Sequence, residues 1–232
     1  MSLRVLGIPG SLRGGSYNRR LLEAARELAP DGIEVEVFDL AGIPLYDADL
    51  DTDEARPGAV ERLKASIGRA DAVLFATPEY NHSLPGVLKN AIDWASRPAG
   101  GSPLRGKPVA MMGASPGTIG TARAQLHLES VLLATLARPL PHPGVLVGGA
   151  KEKFDADGRL VHEATRLFLR RFLEELSAWT RRMGRPRHEA GAGEAARRDV
   201  GGERMERRGR EPRRREPSAD RPAEEPVRAG RG

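Results

Sequence analysis

One short run of the chain combines glycines, hydroxyl groups and a cation in a way that suits phosphate binding: GSLRGGSYN, residues 10–18. Glycine permits tight turns, serine and asparagine side chains donate hydrogen bonds, and the start of a following helix favours negative charge. Arg13 lies between two Gly/Ser clusters and adds a positive charge. The run therefore predicts a phosphate cradle. The alternative is a plain strand-to-helix turn in which Ser16 or Asn18 only caps the helix.

Two further runs carry unusual chemistry. TPEYNHSLPG, residues 77–86, is stiffened by two prolines, and its backbone donors and aromatic ring suit the edge of a flat heterocycle. Alternatively, Glu79 is a solvated carboxylate and Tyr80 a half-buried core residue. GASPGTIGTARAQ, residues 113–125, has three glycines that let a ligand approach the backbone, which is a weak signal by itself.

The elements that would position these runs alternate between short β-rich stretches and amphipathic helices, which is typical of a parallel sheet with crossover helices. The sequence predicts an α/β fold, a flavodoxin-like three-layer sandwich with a five-stranded parallel sheet in the order 2-1-3-4-5. Ligands of such sheets bind beyond the carboxyl ends of the strands, where all three runs fall. The predicted strands are Leu3–Ile8, Ile33–Asp39, Ala72–Ala76, Pro108–Gly113 and Gly144–Val147, and the predicted helices are Asn18–Leu28, Gly58–Arg69, Pro85–Ser96, Thr121–Ala137 and Arg159–Arg182.

Composition divides the 232 residues into two parts. Residues 184–232 hold 14 arginines, 10 acids and no aromatic residue, so they cannot bury enough apolar surface to order and are predicted to form a disordered tail. Residues 1–183 form the predicted domain, with 23 basic and 22 acidic groups. The overall charge of +5 thus describes mainly the tail and does not indicate specific nucleic-acid binding.

Several classes of chemistry are excluded or disfavoured. The chain has no cysteine, which excludes disulfides, cysteine-ligated metal centres and a cysteine nucleophile. Its five histidines lack metal-ligand spacing, and the alternating acids at 47–53 lack the glycine and glutamate of a calcium loop, so no metal site is predicted. No leader and no membrane-length apolar run is visible, so we expect a cytoplasmic protein without membrane contact.

Taken together, GSLRxxSxN, TPEYNHSxPGxLKNAIDW and GASPGxxGxxRAQ resemble the NADPH-dependent FMN reductases, a flavodoxin-like family that includes chromate, quinone and azo-dye reductases. The resemblance spans Leu3 to Gly148 and departs from the family at Thr118 and Thr121, where members often have glycine. It implies that FMN is bound and that the chemistry belongs to the flavin, with no catalytic side chain. The implied cofactor-binding residues are Ser11, Arg13, Ser16, Tyr17 and Asn18 around the phosphate, Pro78, Glu79, Tyr80 and Asn81 along ribityl and isoalloxazine, and Ser115 and Gly117 at the other edge.

The resemblance also implies an activity. NADPH or NADH would reduce the flavin, leave, and be replaced in the same cleft by a quinone, azo compound, flavin or metal oxyanion, in a ping-pong cycle. Backbone N–H groups of residues 79–81 would stabilise negative charge on the flavin. The alternatives are an electron-carrying flavodoxin, which binds FMN without oxidising NADPH, and a flavin-free scaffold. The surplus of apolar residues on the predicted helix Pro85–Ser96, together with the resemblance, predicts a homodimer or homotetramer.

Overall fold

A computed structural model describes residues 2–98, 100–141 and 144–184. Its strands run parallel in the order β2-β1-β3-β4, and two short strands, β5 and β6, both pair with the outer edge of β4. The predicted flavodoxin-like α/β sandwich and its strand order are confirmed. The strands are β1 Leu3–Pro9, β2 Ile33–Val37, β3 Ala72–Ala76, β4 Pro108–Ala114, β5 Arg138–Pro139 and β6 Val145–Val147.

The fifth position of the sheet differs from the single strand that was predicted. β5 pairs with Pro108 and Val109, and β6 pairs with the segment from Met112 to Ala114, so two strands share one edge of β4. Proline has no N–H to donate to a ladder, and Pro139 and Pro141 follow closely on the start of β5. Just before β6, Gly144 has a φ of 68°, which turns the chain out of the extended conformation.

The five predicted helices are present, and two short helical segments were not predicted. The predicted fourth helix ends three residues early because Leu136 adopts a φ of 62°, and the predicted last helix starts later because Phe154 and Leu160 pair as a small hairpin. Gly184 ends the last helix, and the rest of the predicted tail lies outside the described residues, so the domain boundary after Met183 stays a prediction. The helices are α1 Tyr17–Glu27, α2 Gly58–Arg69, α3 Gly86–Ala95, α4 Ala122–Ala134, α5 Ala150–Lys153 and α6 Glu163–Met183, with a 3₁₀ helix at Ala48–Leu50.

Helices cover both faces of the sheet, so its strands are buried on two sides. α1 and α6 contribute to one apolar cluster with Leu74 and Val5, while α2, α3 and α4 contribute to the other with Phe75 and Leu6. Successive residues of a strand point to opposite faces, which is why neighbours such as Leu74 and Phe75 belong to different clusters. All five residues of β3 are buried, as expected for the centre of a parallel sheet.

The apolar surplus on α3 is mostly buried within the chain, so it gives no support to the predicted homodimer or homotetramer, which stays a prediction. Leu88, Ala91, Ile92 and Ala95 are buried within the chain. Trp94 is also fully buried, because the loop before the 3₁₀ helix covers it: the indole N–H donates to the Pro44 carbonyl (2.9 Å), and the Tyr46 ring packs edge-on at 4.9 Å. One helix can be apolar on most sides when a loop supplies a second layer.

Candidate functional site

The first loop, residues 10–16, joins β1 to α1 and leaves several hydrogen-bond donors unused. Ser16 caps α1, its hydroxyl oxygen accepting from the Asn18 N–H (3.2 Å), and the Ser16 N–H donates to the Arg13 carbonyl (3.0 Å). Among the described residues, the main-chain N–H groups of Gly14, Gly15 and Tyr17 have no protein acceptor. The first turn of α1 also lacks an acidic residue, so the positive end of its dipole is not offset.

Arg13 places its charge beside these donors. Its side chain is exposed, and its Nη1 lies 3.7 Å from where a Cβ on Gly15 would be. Within the described part of the chain, no carboxylate lies within ion-pair distance of Arg13, whereas Arg19 pairs with Asp39 at 2.8 Å. Ser11 is buried, and its hydroxyl oxygen accepts from the Arg13 N–H (3.3 Å), which fixes the start of the loop. Unused N–H groups, two hydroxyls and one unpaired cation are the donor set that a phosphate requires.

Two residues of the predicted phosphate group turn to other partners. The Asn18 amide donates to the Ala114 carbonyl (3.0 Å), while its oxygen accepts from the Ala114 N–H (2.9 Å), so it binds α1 to the end of β4. The Tyr17 ring packs against Phe154 with ring centres 5.5 Å apart. Both side chains therefore hold the first loop in place from the inside of the protein.

The second loop, residues 77–85, contains a tight turn at Tyr80–Ser83. Tyr80 and Ser83 exchange two main-chain hydrogen bonds of 3.0 Å each, and the central residues Asn81 and His82 have φ of 49° and 63°. Positive φ at both central positions defines a type I′ turn, which non-glycine residues adopt only at an energetic cost. Because the Tyr80 N–H closes the turn, it is not free for a ligand. In the described residues, the N–H groups of Glu79 and Asn81 have no protein acceptor.

The Glu79 carboxylate points to the start of α4, not to solvent. One oxygen accepts from the N–H groups of Arg123 (3.0 Å) and Ala124 (3.2 Å), and the other contacts the Arg123 guanidinium at 3.2 Å. Burial by itself raises the pKa of this carboxyl, but the Ala124 N–H and the two Arg123 donors outweigh it, so the Glu79 pKa lies below its ordinary value. Glu79 therefore stays ionised at neutral pH, while its neighbour Tyr80 is about half exposed.

The third loop, residues 115–121, is packed tightly against its neighbours. The Ser115 N–H donates to the Val147 carbonyl (2.9 Å), and the Ser115 hydroxyl accepts from the Gly117 N–H (3.1 Å). A Cβ on Gly113 would overlap the Thr121 hydroxyl and the Thr77 carbonyl, so only glycine lets the second and third loops approach this closely. The first loop also packs against the second loop, since a Cβ on Gly10 would lie 3.2 Å from the Pro78 ring.

The structure thus gathers the three predicted loops at the carboxyl edge of β1, β3 and β4. It also adds two residues that sequence reasoning missed, Arg123 and His127, one helical turn apart on α4. The His127 Nδ1 lies 2.9 Å from the Ser83 hydroxyl. Arg123 belongs to the third predicted run and His127 follows it at i, i+4 spacing, but neither signal reveals a partner more than 40 residues away. Among the described residues, no acid and histidine cluster could hold a metal ion, and no helix is long and apolar enough to cross a membrane.

Residues 3–152 match the family model of the NADPH-dependent FMN reductases. The chain is 50% identical over 181 residues, covering 78% of itself and 97% of the relative, to the NAD(P)H-dependent FMN reductase PA1204 of Pseudomonas aeruginosa. It is 42% identical to a 2-hydroxy-1,4-benzoquinone reductase of Burkholderia sp, with coverage of 78% and 98%. It also resembles the solved structure of FerB, a flavoenzyme NAD(P)H:(acceptor) oxidoreductase from Paracoccus denitrificans, with 40% identity, a TM-score of 0.72 and coverage of 78% and 99%.

The fold and the three loops define a flavodoxin-like oxidoreductase of the flavin-binding kind. The chain belongs to the NADPH-dependent FMN reductase family. These comparisons confirm the predicted family and the predicted enzyme class. They also confirm FMN and NAD(P)H as the cofactors.

Proposed function

We propose that the protein is an NAD(P)H-dependent, FMN-containing reductase whose acceptors are small molecules, with quinones foremost. The observation that carries this proposal is the first loop, where unused N–H groups, Ser16 and the unpaired Arg13 meet at the start of α1. These residues fit a phosphate without a metal ion. The name of the Burkholderia relative, a quinone reductase, supports the acceptor class.

The three loops would divide the cofactor between them. Ser11, Arg13 and Ser16 would hold the phosphate, the second loop from Pro78 to Asn81 would line ribityl and isoalloxazine, and Ser115 and Gly117 would line the other edge. In this assignment Tyr17 and Asn18 act through the packing of the first loop, since their side chains contact Phe154 and Ala114. The free N–H groups of Glu79 and Asn81 are the donors available to negative charge on the flavin.

When bound, FMN would supply the two-electron hydride chemistry between NAD(P)H and the acceptor. The chain's own part is to bind, orient and stabilise charge. All the loops named above lie at one edge of one sheet, so we propose that nicotinamide and acceptor occupy the same cleft in turn, as a ping-pong cycle requires. Steady-state rates at several fixed acceptor concentrations should give parallel double-reciprocal lines. Intersecting lines would mean that both substrates bind together.

The alternative, an electron carrier that holds FMN but does not oxidise NAD(P)H, is separated from the reductase by one measurement. We expect purified protein to be yellow and to bleach rapidly when NADPH or NADH is added without oxygen. A yellow protein that does not react with either nucleotide would be a carrier. A colourless protein that FMN cannot reconstitute would contradict flavin binding altogether.

We further propose a homodimer or homotetramer, in which α4, not α3, supplies contacts. Leu126 and Leu133 lie two turns apart on α4 and are exposed, at 66% and 54%. Leu126 also lines an open cavity of about 230 Å³ together with the partly exposed Leu146. Exposed apolar residues that recur along one helix favour association. Sedimentation at micromolar concentration should show an oligomer that Leu126→Glu with Leu133→Glu dissociates; a parent protein that sediments as a monomer would refute this assembly.

A further inference from the structure

Helix α4 holds the Tyr80–Ser83 turn at both of its ends. At the entrance, the Glu79 carboxylate binds the Arg123 guanidinium and the N–H groups of Arg123 and Ala124. At the exit, the Ser83 hydroxyl bonds with the His127 imidazole at 2.9 Å. Residues four apart on a helix lie on the same side, so Arg123 and His127 together form a single surface facing the second loop. We refer to Arg123, His127 and their partners Glu79 and Ser83 as the clamp.

The turn gains from such support because its shape favours glycine, and neither of its central residues is glycine. Asn81 and His82 both occupy the left-handed region, which Asn and His tolerate better than most residues but still at an energetic cost. Both side chains are exposed, so packing does not compensate for this cost. A conformation of this kind persists only where its surroundings determine it, and in the described residues those surroundings include the two ends of the clamp.

The helix that carries the clamp is itself firmly anchored. Leu128 and Leu132 are fully buried, and the Gln125 amide donates to the Val145 carbonyl (3.1 Å) and to the Thr121 hydroxyl (3.0 Å). These contacts tie α4, β6 and the third loop together as one packed unit. Through the clamp, the second loop takes its position from this unit and not only from the end of β3.

We propose that Arg123 and His127 are positioning residues of the flavin site, which act through Glu79 and Ser83 to hold the free N–H groups of Glu79 and Asn81 in one direction. This inference rests on the proposed function, because it assigns those N–H groups to the flavin ring. Neither residue needs to touch the cofactor. Preorganised donors stabilise developing charge only if they do not have to reorient, so a looser turn weakens binding and alters the reduction potential together.

The test compares Ser83→Ala, His127→Leu and the double variant, with Ser130→Ala as a matched control: Ser130 is exposed on the same helix, and its hydroxyl has no hydrogen bond to the described part of the second loop. Each neutral hydrogen bond contributes about 0.5–1.5 kcal/mol, which is a change of roughly two- to tenfold in a dissociation constant. We expect each clamp variant to weaken FMN and riboflavin alike, by at most that factor because the contact is exposed and acts through the turn, and to shift the midpoint potential of the bound flavin. The double variant should be no worse than the stronger single one, since both remove the same contact.

The control variant should leave both affinities and the potential unchanged. Ser83→Ala removes one hydroxyl from a surface loop, so it keeps the test decisive even if His127→Leu folds poorly. Unchanged affinity and potential in Ser83→Ala, or a loss confined to FMN, would overturn the clamp while leaving the reductase intact. A parent protein that binds neither flavin would overturn both proposals.

Discussion

Replacing Arg13 by alanine tests the phosphate loop most directly. Among the described residues, Arg13 has no carboxylate within ion-pair distance, so its removal leaves no buried or paired charge behind. The loop's internal bonds are made by the main chain and by Ser11 and Ser16, and these remain in the variant. The change should therefore subtract one cation from the ligand site and little else.

The expected magnitude follows from the type of contact. A charge-assisted hydrogen bond contributes about 1.5–3 kcal/mol, so Arg13→Ala should weaken FMN binding by roughly tenfold to a hundredfold. Because the Arg13 side chain is exposed, salt screens its charge, so the loss of FMN affinity should shrink towards tenfold as ionic strength rises. Arg13→Lys should recover only part of the affinity, since an ammonium lacks the fork of parallel donors. Ser16→Ala should cost less, at about 0.5–1.5 kcal/mol.

Riboflavin, which lacks the phosphate, provides the control. Titration of flavin-free protein, followed by fluorescence quenching, should give nearly the same riboflavin affinity for the parent and for Arg13→Ala. If the variant weakens both flavins equally, Arg13 supports the loop's structure and does not bind phosphate. This pattern is the opposite of the one expected for the clamp, so the two sets of variants check each other.

Three further predictions concern stability and the tail. Burial lowers the Lys107 pKa from 10.5 to about 8, so the folded chain binds fewer protons than the unfolded chain between these values. The free energy of unfolding should therefore rise with pH across that window by up to about 3 kcal/mol more in the parent than in Lys107→Met. Urea titrations at pH 7.5 and 9.5 that give the same change in unfolding free energy for both proteins would contradict it. The Glu79 pKa is lowered, so the advantage of the parent over Glu79→Gln should be present above pH 4.5 and disappear as the pH falls further, which urea titrations from pH 6 to 3 would measure. Truncation after Met183 should leave the melting midpoint and FMN content nearly unchanged, and a drop of several degrees would show that residues 184–232 contribute to the fold.

The fold was predictable because its signals are local. Five apolar stretches alternate with amphipathic ones, and this pattern alone specifies a parallel sheet covered by helices. The early end of α4 was not predictable, because Leu136 and Ala137 are good helix formers. The helix ends there because Leu136 adopts a positive φ, which the sequence does not indicate. The division of the fifth strand depends on pairing with β4, which the separate stretches do not encode.

The candidate site was predictable as a set of loops but not as a set of contacts. Asn18 lies within a run suited to phosphate, yet both ends of its amide bond to Ala114, 96 residues away. Glu79 lies within a run suited to a flavin, yet its carboxylate caps a helix 44 residues away. Loops that surround a ligand must also be held against one another, and short polar side chains serve both purposes with the same atoms. A motif therefore identifies which backbone approaches the ligand, whereas the distribution of its side chains between ligand and protein depends on the tertiary structure. For this chain, that distribution leaves Arg13 facing outward and directs Glu79 to the clamp, which is why the Arg13 variants and the clamp variants are tested by opposite responses to FMN and riboflavin.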